Sequence, residues 1–392
     1  MKRANHDHWL LVGVVAAGLV MSWTVSPVRA TIPPDPDNAA LLYYQAFISL
    51  ADLDKEARDH ISKVATGEVA PNEKTRQYIE ECHGAISFAD GAKPLQKCDW
   101  GFRYSQGFDA LMPHLAQIRF LAFVLLADAR VRAADGDYKG AFERCLQMRT
   151  FARHIGDDTL IAYLVGVSVQ RVGYERMNEI AAQATKDAEV LRWLQSELAA
   201  TASPSLSPVT SLKIEMEIAE DLMQVSKRDK LAAALKTTEN PDIARFYASA
   251  DEATLARARQ LYRRYLTSAL EILSATKPYE QAHVELANLI KTVDANDPSF
   301  AIARFITPAL GSILSARTVV EASANATKAG VAICLKRAET GALPQVLPEG
   351  LPKDPFSGQD FQYERKDAGF VLRCRGKDLA KNKTYEYAFA VK

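Results

Sequence analysis

Leu347-Pro-Glu-Gly-Leu-Pro-Lys-Asp-Pro-Phe-Ser-Gly-Gln-Asp-Phe-Gln-Tyr363 is the stretch at which the chain changes character. Before it, apolar residues recur at helical spacing in most segments; after it come three short runs at strand spacing. The stretch itself reads as a corner. Pro352 and Pro355 fix the chain direction, Asp354 is placed to accept from backbone N–H groups ahead of it, and Gly358 relieves the turn. Phe356 is the expected apolar plug. Downstream, residues 361–365 and 370–374 are joined by Lys366-Asp-Ala-Gly369 and read as a hairpin. In residues 385–391 the alternation puts Tyr385, Tyr387, Phe389 and Val391 on one face, so the sheet is expected to bury one side on the preceding helix. Thr307-Pro308 reads as the N-cap and first residue of that helix, and Gly341 as its end.

Upstream, helical spacing runs through residues 39–53, 72–88, 108–134, 138–155, 188–200, 208–235 and 279–293. The clearest stripe is Leu115, Ile118, Leu121, Val124, Leu125 and Ala129. It stops at Asp135-Gly136, and a new helix opens at Tyr138. With Ala141 this pair resembles one tetratricopeptide-type helical hairpin: the glycine turns, Tyr138 packs between helices, and Ala141 lets them approach. No 34-residue repeat accompanies it, and such arrays bury their core only from about three units, so the expected role is packing. Asp157 or Asp158, Ser207-Pro208 and Ser249-Ala-Asp-Glu252 read as helix starts. His154 reads as a charge partner at a helix C-terminus. Arg257, Arg259, Arg263 and Arg264 give a basic helix face that Glu215, Glu217, Glu220 and Asp221 can oppose. The fold class that follows is mainly α. A multi-helix, partly tetratricopeptide-like domain covers residues 31–306, and a small α+β module with a three-stranded antiparallel sheet covers 307–392.

The strongest indication of function is an address. Lys2 and Arg3 precede an apolar run from Trp9 to Val25, and Ser26-Pro-Val-Arg-Ala30 offers small residues three and one before a cleavage point. That is the layout of a secretory signal peptide over residues 1–30. The alternative is a retained N-terminal anchor, although a run of about 17 residues is at the short limit for a bilayer span. The expected location is periplasmic or extracellular. The 392 residues carry 48 basic and 48 acidic side chains, a balance that gives no basic surface for nucleic acid.

An oxidising compartment permits disulfides. Among the five cysteines, Cys82 with Cys98 and Cys334 with Cys374 are the candidate pairs, leaving Cys145 alone; sequence does not fix the connectivity.

Residues 329–341, Leu343-Pro344, Leu351-Pro-Lys-Asp-Pro-Phe-Ser-Gly358, Phe361-Gln-Tyr363 and Gly369-Phe-Val-Leu372 together resemble the C-terminal module of a family of uncharacterised exported bacterial proteins. More loosely, residues 308–375 resemble the globular part of type II secretion pseudopilins: helix, Leu-Pro, Asp-Pro-aromatic-Gly turn, then strand and hairpin. The resemblance implies the module's fold and an exported protein. It implies no calcium site here, because Arg375-Gly-Lys-Asp-Leu-Ala-Lys-Asn-Lys-Thr384 offers one carboxylate where calcium takes several oxygen ligands.

Two patterns suggest chemistry. Glu80-Glu-Cys-His83 and Glu280-Gln-Ala-His283 repeat the Glu-x-x-His spacing of di-metal carboxylate bundles, but helix-surface Glu and His are ordinarily solvated, so no metal or cofactor is expected. Trp100, Phe102 and Tyr104 alternate in an extended run; exposed, they form a ligand platform, and buried, they cap the helical core. No phosphate loop, HExxH, GxSxG or CxxC occurs. The expected function is a non-enzymatic binding or assembly component of the envelope or secretion pathway, in contact with a protein or envelope component. The competing class is an exported hydrolase or di-metal carboxylate enzyme in the helical domain.

Overall fold

In a computed structural model of the chain, residues 35–109, 112–200, 206–236, 241–294 and 296–391 are described. The signal peptide or anchor read over residues 1–30 lies outside them. The rest is mainly helical with one small C-terminal sheet, the fold class the periodicity predicts.

Helix α1 (Ala39–Ser49) starts where the Asn38 side chain accepts from the Ala40 N–H at 3.2 Å. Helix α2 (Lys55–Thr66) is capped by Asp54 and closed by Gly67 at φ 87°; it buries Ala57, Ile61, Val64 and Ala65, a stripe at helical spacing that was not among those read from the sequence. The helix expected over residues 72–88 is two, α3 (Glu73–Glu81) and α4 (His83–Ala92), broken at Cys82. Helices α5 (His114–Ala134) and α6 (Tyr138–Gly156) form the predicted hairpin around Gly136, and Ala141 is fully buried.

Helix α7 (Leu160–Gln183) is the central element, packed on α5, α6 and the C-terminal part of the chain. Its approach to α6 depends on two glycines seven residues apart on one face. A Cβ at Gly166 would lie 2.6 Å from the Ala152 carbonyl oxygen, and one at Gly173 would lie 2.8 Å from Met148 Cβ. Thr159, rather than Asp157 or Asp158, caps α7 by accepting from the Ala162 N–H.

Next come α8 (Ala188–Ala200), α9 (Pro208–Leu222), α10 (Arg228–Leu235), α11 (Pro241–Ser249), α12 (Glu252–Ser274) and α13 (Tyr279–Lys291). Ser207 and Pro208 begin α9 as read, but the helix ends at Leu222, short of 235. The cap of α12 is Asp251, which accepts from the Thr254 N–H at 2.8 Å; Ser249 closes α11. Helices α9 and α12 pack together, with Arg263 paired to Glu220 across them.

Helix α14 (Ala301–Thr340) does not begin at Pro308. It runs through that proline, started by a turn in which Asp297 accepts from the Ser299 N–H. Ala301, Ile302, Ala303 and Ile306 are buried, and their packing retains the extra turn despite the N–H that proline lacks. The boundary read at Thr307 therefore falls inside a helix, and residues Asp37–Lys392 form one compact unit. Among the described residues the segment Pro298–Thr340 alone is long and apolar enough to cross a membrane; here it packs on α7, α8, α12 and α13 as a core helix.

Strands β1 (Gln362–Lys366), β2 (Gly369–Arg373) and β3 (Glu386–Ala390) form an antiparallel sheet in that order. In β3, Tyr387 and Phe389 are buried while Glu386, Ala388 and Ala390 are exposed, as the alternation predicts. The Phe389 ring stacks on Phe370 at 4.5 Å and lies on Gly330 of α14, where a Cβ would meet the ring at 1.9 Å. Fully burying such a ring contributes about 1.5–3 kcal/mol.

The corner ahead of the sheet is built as its sequence suggests. Asp354 is completely buried and accepts from the N–H groups of Phe356, Arg375 and Gly376 and from the Ser357 hydroxyl, all between 2.7 and 2.9 Å. Phe356 is buried, and Gly358 takes φ 69°. Asp378 is the second anchor, also completely buried. The hydroxyls of Tyr279, Ser315 and Tyr385 donate to it at 2.9, 2.6 and 3.0 Å, and the Ala380 and Lys381 N–H groups close the loop on it. Burial raises its pKa, and the hydroxyl bonds outweigh that and hold it below the usual carboxylate range.

Candidate functional site

A cleft of about 700 Å³ opens where the C-terminal sheet meets the helical array. Its walls are the polar side of α7, Thr66 and Gly67 at the end of α2, and residues 383–388 of β3 and its approach. Helical spacing puts Arg171, Glu175, Asn178 and Glu179 on one face of α7. Val319 and Ser323 of α14 form the floor together with Tyr387, whose hydroxyl lies 3.4 Å from Ser323 Oγ.

The charges here are held in pairs. Arg171 bonds Glu175, Arg176 bonds Glu179, and Arg130 also reaches Glu179 at 2.8 Å. Glu386 bonds Arg373 at 2.7 Å. Lys383 has no acidic partner among the described residues; its ammonium lies 5.2 Å from the Tyr385 ring centroid. Asn178 is 4 % exposed, and its Oδ1 accepts no hydrogen bond among the described residues. An unsatisfied buried amide oxygen costs about 1–3 kcal/mol, which a bound donor would relieve.

Of the two alternatives for Trp100, Phe102 and Tyr104, display or burial, Trp100 takes burial. Trp100 is 5 % exposed and stacks between Tyr43, Phe47 and His114, with ring centroids at 5.6, 6.2 and 4.9 Å. Its Nε1 donates to the His154 carbonyl at 2.8 Å. Phe102 is half-buried against His114; Tyr104 is exposed at its edge and donates to Asp158 at 2.7 Å. The indole's apolar area decided burial over display.

The same cluster corrects the reading of His154, which is buried rather than placed as a surface charge partner. Tyr43 Oη lies 2.8 Å from its Nδ1, and its Nε2 lies 2.9 Å from the Leu95 carbonyl oxygen. In a neutral ring that places the proton on Nε2, with Tyr43 donating to Nδ1. Burial lowers the pKa of His154 and of His114 to about 4. Burial raises Asp158 to about 6, and nearby Asp99 and Glu215 add to the rise.

The two Glu-x-x-His motifs do not assemble. Glu80 lies in the last turn of α3 while His83 begins α4, and both are exposed. Glu280 is exposed on α13, and His283 packs near the Tyr279 ring. No cluster of three metal-ligating side chains occurs among the described residues.

The disulfides expected between Cys82 and Cys98 and between Cys334 and Cys374 are absent, and all five cysteines are free thiols. Cys82 lies before α4 and Cys98 beyond its end, so ten helical residues, about 15 Å, separate them. Cys374 bonds Tyr385 at one end of β3, whereas Phe389, four residues or about 13 Å further along, sits on Gly330, one turn short of Cys334. A disulfide needs Cα atoms within about 7 Å. Burial raises the Cys82, Cys98, Cys145 and Cys334 thiols to about 12, which keeps them protonated and unreactive.

Sequence reading missed the cleft, because its residues come from four separated segments and only the spacing along α7 was visible beforehand. The chain matches no protein family, no curated protein and no solved structure.

Proposed function

We propose that this protein is exported and acts as a non-enzymatic binding or assembly component of the cell envelope or secretion pathway, its C-terminal module being of the pseudopilin-like type. The observation that carries this reading is the cleft. Arg171, Arg176 and Glu386 are each locked to an acidic or basic neighbour, an arrangement suited to fixed polar recognition, while Asn178 presents an unused acceptor. The N-terminal sequence supports export: a basic start, an apolar run and small residues before Thr31.

Fractionation of cells producing the full chain with a C-terminal tag tests it. The expected result is a periplasmic or extracellular protein whose intact mass begins at Thr31. A cytosolic protein retaining Met1–Ala30 would overturn the export reading.

A further inference from the structure

Helix α14 carries two opposite charges that the fold leaves without ion-pair partners. Leu314, Arg317, Thr318 and Glu321 follow one another at helical spacing and share one face. That face is one wall of a second cavity, of about 510 Å³, which the start of α9, the end of α12 and α13 complete. Small-molecule sites have volumes of about 300–1,000 Å³. Much of the remaining wall is aliphatic, from Leu206, Val209, Ile272, Leu314 and Pro355.

Arg317 and Glu321 are both half-buried. One Nη of Arg317 donates to the Leu273 carbonyl at the end of α12. Its Nε is buried and donates to nothing among the described residues, and no acid there pairs with the guanidinium. Glu321 accepts no hydrogen bond and joins no ion pair among the described residues. The two do not pair with each other. A base one turn before an acid is the less favourable order on a helix, and the Leu273 bond ties the guanidinium to α12. Lys277, the other charged residue on the wall, is paired with Glu285 at 2.5 Å. Burial raises the Glu321 pKa, and Arg317 offsets only part of the rise.

A half-buried charge without a partner is costly. A simple anion would satisfy Arg317 and leave Glu321 bare, and a simple cation would do the reverse. A ligand that carries both signs on neighbouring atoms satisfies both at once, and the aliphatic wall favours one with an apolar side chain. We propose that this cavity binds an aliphatic α-amino acid, with its carboxylate on Arg317, its ammonium on Glu321 and its side chain against Leu206, Val209 and Ile272. The planar guanidinium suits a carboxylate. This site is separate from the cleft at β3, and the inference stands whether or not the protein is exported.

The test is isothermal titration of the purified chain with leucine and four analogues. Leucinamide lacks the carboxylate, 4-methylpentanoate lacks the amine, glycine lacks the side chain, and leucyl-leucine sets the two charges further apart. Leucine is expected to bind most tightly, and loss of either charged group should weaken binding about tenfold or more. Glu321→Gln should bring leucine down to the affinity of 4-methylpentanoate while leaving 4-methylpentanoate unchanged, a pattern that a merely structural glutamate would not give. Arg317→Gln should do the same with respect to leucinamide. Should Arg317→Gln fail to fold because it gives up the Leu273 bond, Glu321→Gln carries the test alone. The proposal is overturned if leucine does not bind at millimolar concentration, if leucinamide, 4-methylpentanoate or glycine binds as tightly, or if Glu321→Gln binds leucine as the parent does. Tighter binding of leucyl-leucine overturns it in favour of a short peptide.

Discussion

Two of the buried carboxyl groups, Asp378 and Asp158, are treated in opposite ways. Asp378, at the foot of the sheet, has no exposed surface and receives three hydroxyls and two N–H groups, which hold its pKa down. Asp158, in the aromatic cluster under α1, is also buried, but among the described residues the Tyr104 hydroxyl is the one side chain donating to it, with the Thr159 N–H beside it, and burial raises its pKa to about 6. Burial penalises charge in both. The number of converging donors decides which carboxyl keeps its charge as pH falls. The C-terminal corner is thus an anchor whose carboxylate is held charged, whereas the aromatic cluster holds its histidines neutral and gives its carboxylate little support.

The largest effect expected from breaking this contrast is at the anchor. Asp378→Ala strips the acceptor from Tyr279, Ser315 and Tyr385 together and should cost about 3–5 kcal/mol, since losing a buried charged partner is severe. Calorimetry of the variant would check this; an unchanged melting temperature would show the loop holds by packing alone.

Acid should act first on the other cluster. His114 and His154 have folded pKa values of about 4, below the 6.5 of an unfolded chain, so the unfolded state binds more protons as pH falls through that window and stability drops. Asp158, raised to about 6, works the other way, gaining stability on protonation between 6 and 3.8. From these three groups, two protons against one leave a loss of about 1.4 kcal/mol per pH unit near pH 5, which the carboxyls of Asp157 and Glu215, also raised by burial, reduce. Asp378, with a lowered folded pKa, contributes above 3.8 and is lost only below its own folded value. Urea melts at pH 7, 6, 5 and 4.5 would show the slope, and Tyr43 and Trp100 fluorescence should report it before the sheet detaches.

Smaller changes sharpen the comparison. Gly330→Ala pushes a methyl into the Phe389 ring and should cost about 1–3 kcal/mol by overpacking, read as a lower urea midpoint. Tyr43→Phe leaves His154 Nδ1 without its donor at a cost of about 1 kcal/mol, and it should raise the His154 pKa in a titration followed by NMR, because the freed nitrogen can take a proton.

How much of this was legible beforehand varies by element. The corner was read residue by residue: Asp354 accepting backbone N–H groups, Phe356 buried, Gly358 in the left-handed region. Turn chemistry is local, so local sequence specifies it. The β3 alternation was equally plain. The role of Asp378 was not, because its three hydroxyl donors lie on α13, α14 and the approach to β3. Pro308 misled as a helix start, since proline is tolerated inside a helix when packing on both sides holds the turn. The aromatic run was visible, but the side it faced was not, because Tyr43, His114 and His154 arrive from elsewhere in the chain.

By itself the sequence determined the mainly helical class, the hairpin at Gly136, the corner at Asp354 and the face of β3 that goes inward. These are matters of period and backbone preference, which act over a few residues. Only the tertiary structure decided which glycines let α6 and α7 approach, which buried acids keep their charge as pH falls, and that β3 borders a cleft with α7. Each of those depends on what arrives from distant segments, and dielectric, donor count and free volume exist only once the chain is folded.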